Sequence, residues 1–108
     1  MFDLQVNQRF ELAETFGLLS DPTRLSIVLA CMDLKVSAGD IADKLNVSPS
    51  LVSHHLRLLR SARIVRSERQ GKHVFYSMTD DCVRIVLTTM INHLFTHEYS
   101  ENIGEAVW

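Results

Sequence analysis

Apolar residues recur along this chain with two different periods, and the change of period divides it. Up to about residue 60 they return every three or four positions, as on one face of a helix; between 64 and 78 they cluster in β-favouring runs, and from about 80 the helical spacing resumes. Residues 5–18 are predicted as a first helix, with Phe10, Ala13, Phe16 and Gly17 near one face and Val6 and Leu12 beside it. The run S-D-P-T-R-L restarts the chain, with Ser20 or Asp21 as cap and Pro22 at an early helical position. Leu25, Val28, Leu29 and Met32 carry a second helix inward to about Asp33. Ser37 and Asp40 have the spacing of a capping box for a short third helix over 38–45, with Ile41 and Leu45 inward. Asn46-Val47 then makes a tight turn. Ser48 and Pro49 open a fourth helix, whose Val52, Leu56 and Leu59 form a buried stripe as far as Arg60.

Beyond Arg60, I-V-R-S-E-R and K-H-V-F-Y-S-M are two strands around Gln70-Gly71, a hairpin signal. Thr79 or Asp80 caps a long last helix reaching about His97 or Glu98. The predicted domain is therefore 1–98, followed by a flexible tail over 99–108 on which Trp108 tucks onto the body. The fold class is mainly α with a small β-hairpin, in the order α-α-α-α-β-β-α.

The polar side of the fourth helix carries the chemistry. Ser50, Ser53, His54 and Arg57 stand opposite the buried stripe as short hydrogen-bonding groups with a cation. Serine is a poor helix-interior residue, so its repetition there calls for a reason. A helix apolar behind and lightly polar in front fits the DNA major groove, where base edges offer donors and acceptors. The plain alternative is an ordinary amphipathic helix with a solvated face. The flanks favour DNA: two short helices joined by a brief turn match a helix-turn-helix, and a hairpin bearing Arg66, Arg69 and Lys72 follows as a wing.

Charge sharpens this picture. The chain carries a net charge of −2, against a generally basic nucleic-acid binder. Between Asp43 and His73, however, seven cations face two acids, Asp43 and Glu68. Local phosphate contact depends on the charges that touch the backbone, so a basic segment on a mildly acidic body suffices. A content of 46% apolar and 22% charged residues in 108 suits one globular domain. No apolar run approaches a membrane span, and the N-terminus lacks a signal-peptide layout, so the cytoplasm is expected. Cys31 and Cys82 form no framework or zinc-ribbon spacing. No nucleophile-base-orienter arrangement is visible, which argues against an enzyme.

The blocks L-L-S-D-P-T-R-L-S-I-V, G-D-I-A-D-K-L-N-V-S-P-S-L-V-S-H-H-L-R-L-L and R-Q-G-K-H-V-F-Y-S-M resemble the ArsR/SmtB family of bacterial repressors over about residues 15–97. The resemblance implies a dimeric winged helix-turn-helix that represses a resistance or homeostasis operon and leaves DNA when an inducer binds. By that pattern Ser50, Ser53 and His54 meet bases, Arg57, Arg66, Arg69 and Lys72 lie on the backbone, and Ser48 at the helix start joins them as a DNA-binding residue.

On the last helix, Val83, Val86, Leu87, Met90 and Leu94 make a broad apolar face, with Cys82, His93 and His97 along one edge and Asp80 at the start. These are acceptable ligands for zinc, nickel or cobalt. Cys82 and His93 are separated by about 16 Å along one helix, too far to share an ion. Two antiparallel copies bring Asp80 and Cys82 of one chain to His93 and His97 of the other, as two symmetric sites. The family's sensors place metal here, and the match is partial: Asp80 and His93 correspond, Cys82 replaces a histidine, and Thr96 stands at the fourth position with His97 beyond it. Ser37 and Ala38 replace the family's other thiol ligands. Cys31 is expected in the core.

The function expected is a homodimer, joined by its first and last helices, that binds a palindromic operator and is released by a transition metal. The rivals are a thiol or redox signal through cysteine, a repressor with no inducer, and a protein-interaction module without DNA binding.

Overall fold

The computed structural model describes residues 2–96. The predicted tail and the candidate ligand His97 lie outside the described residues. The elements are α1 (Val6–Leu19), α2 (Pro22–Ala30), β1 (Val36–Ser37), α3 (Ala38–Leu45), α4 (Pro49–Ser61), β2 (Val65–Gln70), β3 (His73–Met78) and α5 (Asp81–Phe95). The α+β class and the helix-helix-hairpin-helix order are those expected from the sequence, with one added strand.

Helix starts follow the caps. Asp21 accepts from the Arg24 N–H at 2.9 Å, Ser37 from Asp40 at 3.1 Å, Ser48 from Leu51 at 3.1 Å and Asp80 from Cys82 at 2.9 Å. The end of α2 comes earlier than expected. The N–H groups of Cys31 and Met32 turn back to the Val28 and Leu29 carbonyls, tightening the last turn before Asp33. Between α3 and α4, Asn46 adopts a left-handed φ of 56°, which an asparagine tolerates and which reverses the chain within a few residues.

The sheet has order β1-β3-β2, all antiparallel. β2 and β3 form the predicted hairpin, with Gln70 paired to His73 and the turn at Gly71 and Lys72. Gly71 takes φ +63°, the left-handed region that favours glycine at such a turn. β1 was not expected. It is only Val36 and Ser37, too short to show alternation, and it pairs with Tyr76 and Phe75.

The core lies where α2, α3 and α4 meet the base of the hairpin: Ile27, Val28, Cys31, Ile41, Ala42, Val52, Leu56, Leu59, Ile64, Val65 and Met78. Ile27 is fully buried, whereas Leu29, expected inward, is 40% exposed. α1 and α5 bury no residue completely. Leu18 and Leu19 of the first and Val83 and Leu87 of the second pack on the core, while Phe10 (67% exposed), Phe16, Val86, Met90 (50%) and Leu94 face outward. Among the described residues no helix is long and apolar enough to cross a membrane.

Candidate nucleic-acid interface

α4 divides by face as its pattern requires. Val52, His55, Leu56 and Leu59 are buried, and Ser50, Ser53, His54 and Arg57 are exposed together with the cap, Ser48. Burial of the first set fixes the rotation of the helix, so the second set must point away from the body. Among the described residues nothing occupies Ser50 or Ser53, while the capping Ser48 uses its oxygen on the Leu51 N–H.

His55 is the residue the sequence reasoning missed. It sits next to His54 but one helical step of about 100° away, on the 52-55-56-59 stripe. It is 8% exposed, and its buried Nδ1 has no hydrogen-bond partner among the described residues. Burial lowers its pKa, and the nearby Arg24 cation lowers it further; Asp21 opposes this and His54 adds to it. The stripe spacing itself was the available signal. Adjacent histidines thus have different surroundings: His54 faces solvent, and His55 faces the capped start of α2.

The wing presents its cations on both sides. Arg66 lies opposite Ser77 and Arg69 opposite Val74, and residues three apart on a strand point to opposite faces. Arg66 donates through Nε to Ser77 Oγ at 3.4 Å, and Arg69 donates through Nε to the Gly71 carbonyl at 3.3 Å. Lys72 is exposed at the tip. The wing's acid, Glu68, pairs with Lys35 at 2.6 Å; that hydrogen bond and charge hold its carboxyl below its ordinary pKa. Neutralising Glu68 leaves the hairpin with net positive charge. At its base, Arg60 donates to Ser67 Oγ at 3.2 Å, tying the end of α4 to β2.

On α5, Asp80 caps the helix while Cys82 and His93 are exposed. Among the described residues no three His, Cys, Asp or Glu side chains gather within one chain. Arg84 was not singled out from sequence. Its guanidinium pairs with Asp81 at 2.7 Å and donates to the Met32 carbonyl, tying α5 to the end of α2. Cys31 is in the core, and burial pushes its thiol up to about 11. A thiol so held stays protonated and is a poor nucleophile.

A reading helix behind a scaffold helix, with a basic wing beside it, is the geometry of a DNA-binding regulator. Residues 21–67 match the family described as bacterial regulatory protein, arsR family. The chain is also 37% identical, over 91 residues, to the transcriptional repressor SmtB homolog of Synechocystis, covering 84% of this chain and 69% of that one. The chain belongs to the arsR family. It is similar to the cadmium resistance transcriptional regulatory protein CadC homolog of Staphylococcus aureus, with 31% identity over 89% of this chain and 77% of that one. In fold it matches a homodimeric winged helix-turn-helix DNA-binding domain from Mycobacterium bovis at TM-score 0.72, with 20% identity, over 90% of this chain and 96% of that chain. As an arsR-family protein it is a winged helix-turn-helix transcriptional regulator and not an enzyme.

Proposed function

We propose that the chain is a cytoplasmic homodimeric repressor that binds a palindromic operator and is released when a transition-metal ion binds between the last helices of the two protomers. The observation that carries the DNA reading is the uncommitted polar face of α4, held outward by four buried residues on its other side. Ser50, Ser53 and His54 would meet base edges in the major groove. Arg57, Arg66, Arg69 and Lys72 would meet phosphates, which position the protein but carry no sequence information. The outward apolar residues of α1 and α5 support pairing of two copies through those helices. A two-fold dimer places its reading helices one turn of DNA apart, about 34 Å, and asks for a palindrome.

The donor set supports the inducer. Asp80, Cys82 and His93 are carboxylate, thiol and imidazole, which suit zinc, nickel or cobalt. Asp80 and Cys82 sit at the start of α5 and His93 in its last turn, so each chain offers two half-sites and an antiparallel partner completes both. His97 is the fourth candidate. Ion binding would change affinity for DNA only in so far as it favours one arrangement of the two chains over another.

Exposed Cys82 supports a second reading, a thiol signal, in which buried Cys31 takes no part. Mobility shift on DNA upstream of the chain's own gene tests the core reading. Wild type is expected to bind, and Ser53→Ala to lose about 1–3 kcal/mol of specific affinity at matched salt. Unchanged affinity in Ser53→Ala removes the assignment of the reading helix. Added zinc is expected to release the complex, whereas release by an oxidant and not by zinc favours Cys82 alone.

A further inference from the structure

Between α4 and the sheet lies a cleft of about 290 Å³ lined by Ser53, Leu56, Arg57, Arg60 and Tyr76. Leu56, 1% exposed, is its floor, and the rim holds two guanidinium groups, a serine hydroxyl and a phenol. Among the described residues no carboxylate lines it, and neither arginine is in an ion pair.

Sequence spacing explains why these groups converge. Ser53, Arg57 and Arg60 are four and three residues apart, so they form one ridge along α4. Tyr76 comes from the other wall, on β3, directly opposite Ser67 of β2. Ser67 is also the residue whose Oγ accepts from Arg60 Nη1, at 3.2 Å. That bond holds the Arg60 guanidinium against the sheet beside Tyr76 and uses one of its five N–H donors. The remaining donors are pre-oriented, with their ordering cost already met in the free protein.

We infer that this cleft is a phosphate clamp, with Arg60 and Tyr76 as DNA-contacting residues that grip one backbone phosphodiester beside the bases met by Ser53. The inference rests on the proposed DNA reading and adds to it two residues and a tether, Ser67. An anionic tetrahedral group suits the rim: guanidinium forks donate in pairs to phosphate oxygens, and serine and tyrosine hydroxyls supply further donors. The position also suits it, because Ser53 and Arg57 belong at once to the cleft and to the outward face of α4. A strand of DNA crossing from reading helix to wing must pass over the seam.

The test measures binding of operator and random duplexes from low to moderate salt, for wild type, Arg60→Gln, Tyr76→Phe and Ser67→Ala, with thermal unfolding of each as a check on folding. Arg60→Gln is expected to weaken both duplexes alike by roughly tenfold and to lower the salt slope by about one. Tyr76→Phe weakens both by a smaller factor with the slope unchanged. Ser67→Ala keeps the charge but frees it, so the slope stays and affinity falls roughly two- to threefold. Inorganic phosphate at millimolar concentration is expected to protect wild type no better than an equal ionic strength of chloride, because the clamp takes phosphate as part of DNA. If folded Arg60→Gln keeps the wild-type slope and affinity, the clamp is refuted while the reading helix stands. If wild type binds neither duplex, the DNA reading and the clamp fall together.

Discussion

Asp80 carries two separable roles, and one pair of substitutions pulls them apart. Its carboxylate caps α5 by accepting from the Cys82 N–H at 2.9 Å, and it is also a candidate metal ligand. Asparagine caps as well as aspartate but is a poor ligand, whereas alanine does neither. Asp81 keeps a carboxylate in the first turn of either variant, so the interaction with the helix dipole is largely retained. Without metal, Asp80→Ala is expected to lose about 1 kcal/mol, which lowers Tm by roughly 5 °C for a domain of this size, and Asp80→Asn almost nothing. With zinc at a hundred times its Kd, wild type gains about 2.7 kcal/mol per site. A tenfold loss of affinity in Asp80→Asn removes about 1.4 kcal/mol of that gain. The assay is thermal unfolding at fixed protein concentration, with and without zinc, in the presence of a reductant. An equal zinc shift in Asp80→Asn and wild type refutes Asp80 as a ligand; an unchanged metal-free Tm in Asp80→Ala refutes the cap.

Changing Arg69 or Lys72 to alanine is expected to weaken operator and random DNA by the same factor and lower the salt slope by about one, and a loss confined to the operator would contradict a phosphate role for the wing. On the proposed dimer, Met90→Glu places a charge in the α5 interface, and an uncompensated buried charge costs about 3 kcal/mol, so sedimentation is expected to show a dimeric wild type and a monomeric variant; an unchanged dimer moves the interface elsewhere. His55 fixes a pH dependence. Its folded pKa lies below the ordinary 6.5, so as pH falls through 6.5 the unfolded chain takes up the proton first and stability declines, levelling off below the folded pKa. Unfolding of His55→Gln between pH 7 and 5 should show a weaker acid loss than wild type, and parallel curves would refute the buried, depressed histidine.

Much of this arrangement is local in origin and therefore legible in the sequence. Asp21, Ser37, Ser48 and Asp80 act on N–H groups within three residues, so caps and helix starts needed no tertiary information. The face of α4 follows from its own period, as do the hairpin and its cations. What local pattern could not reach were contacts between elements distant in the chain. β1 exists only because Val36 meets Tyr76, and a two-residue strand has no periodicity to detect. Arg84 reaches the Met32 carbonyl 52 positions away, and Arg60 meets Ser67 only because the hairpin folds back on α4.

The sequence by itself determined the class of protein, because burial of one helix face dictates what the other presents, and a serine-histidine-arginine face beside a basic hairpin suits DNA. Tertiary structure decided which neighbours each polar group acquired. It stood buried His55 near Arg24 and Asp21 of α2, brought Lys35 onto Glu68 of the wing, and closed a cleft around Arg60 and Tyr76. The physical reason is range: helix period and capping act over three or four residues, whereas a cleft is defined by walls that only the folded chain brings together.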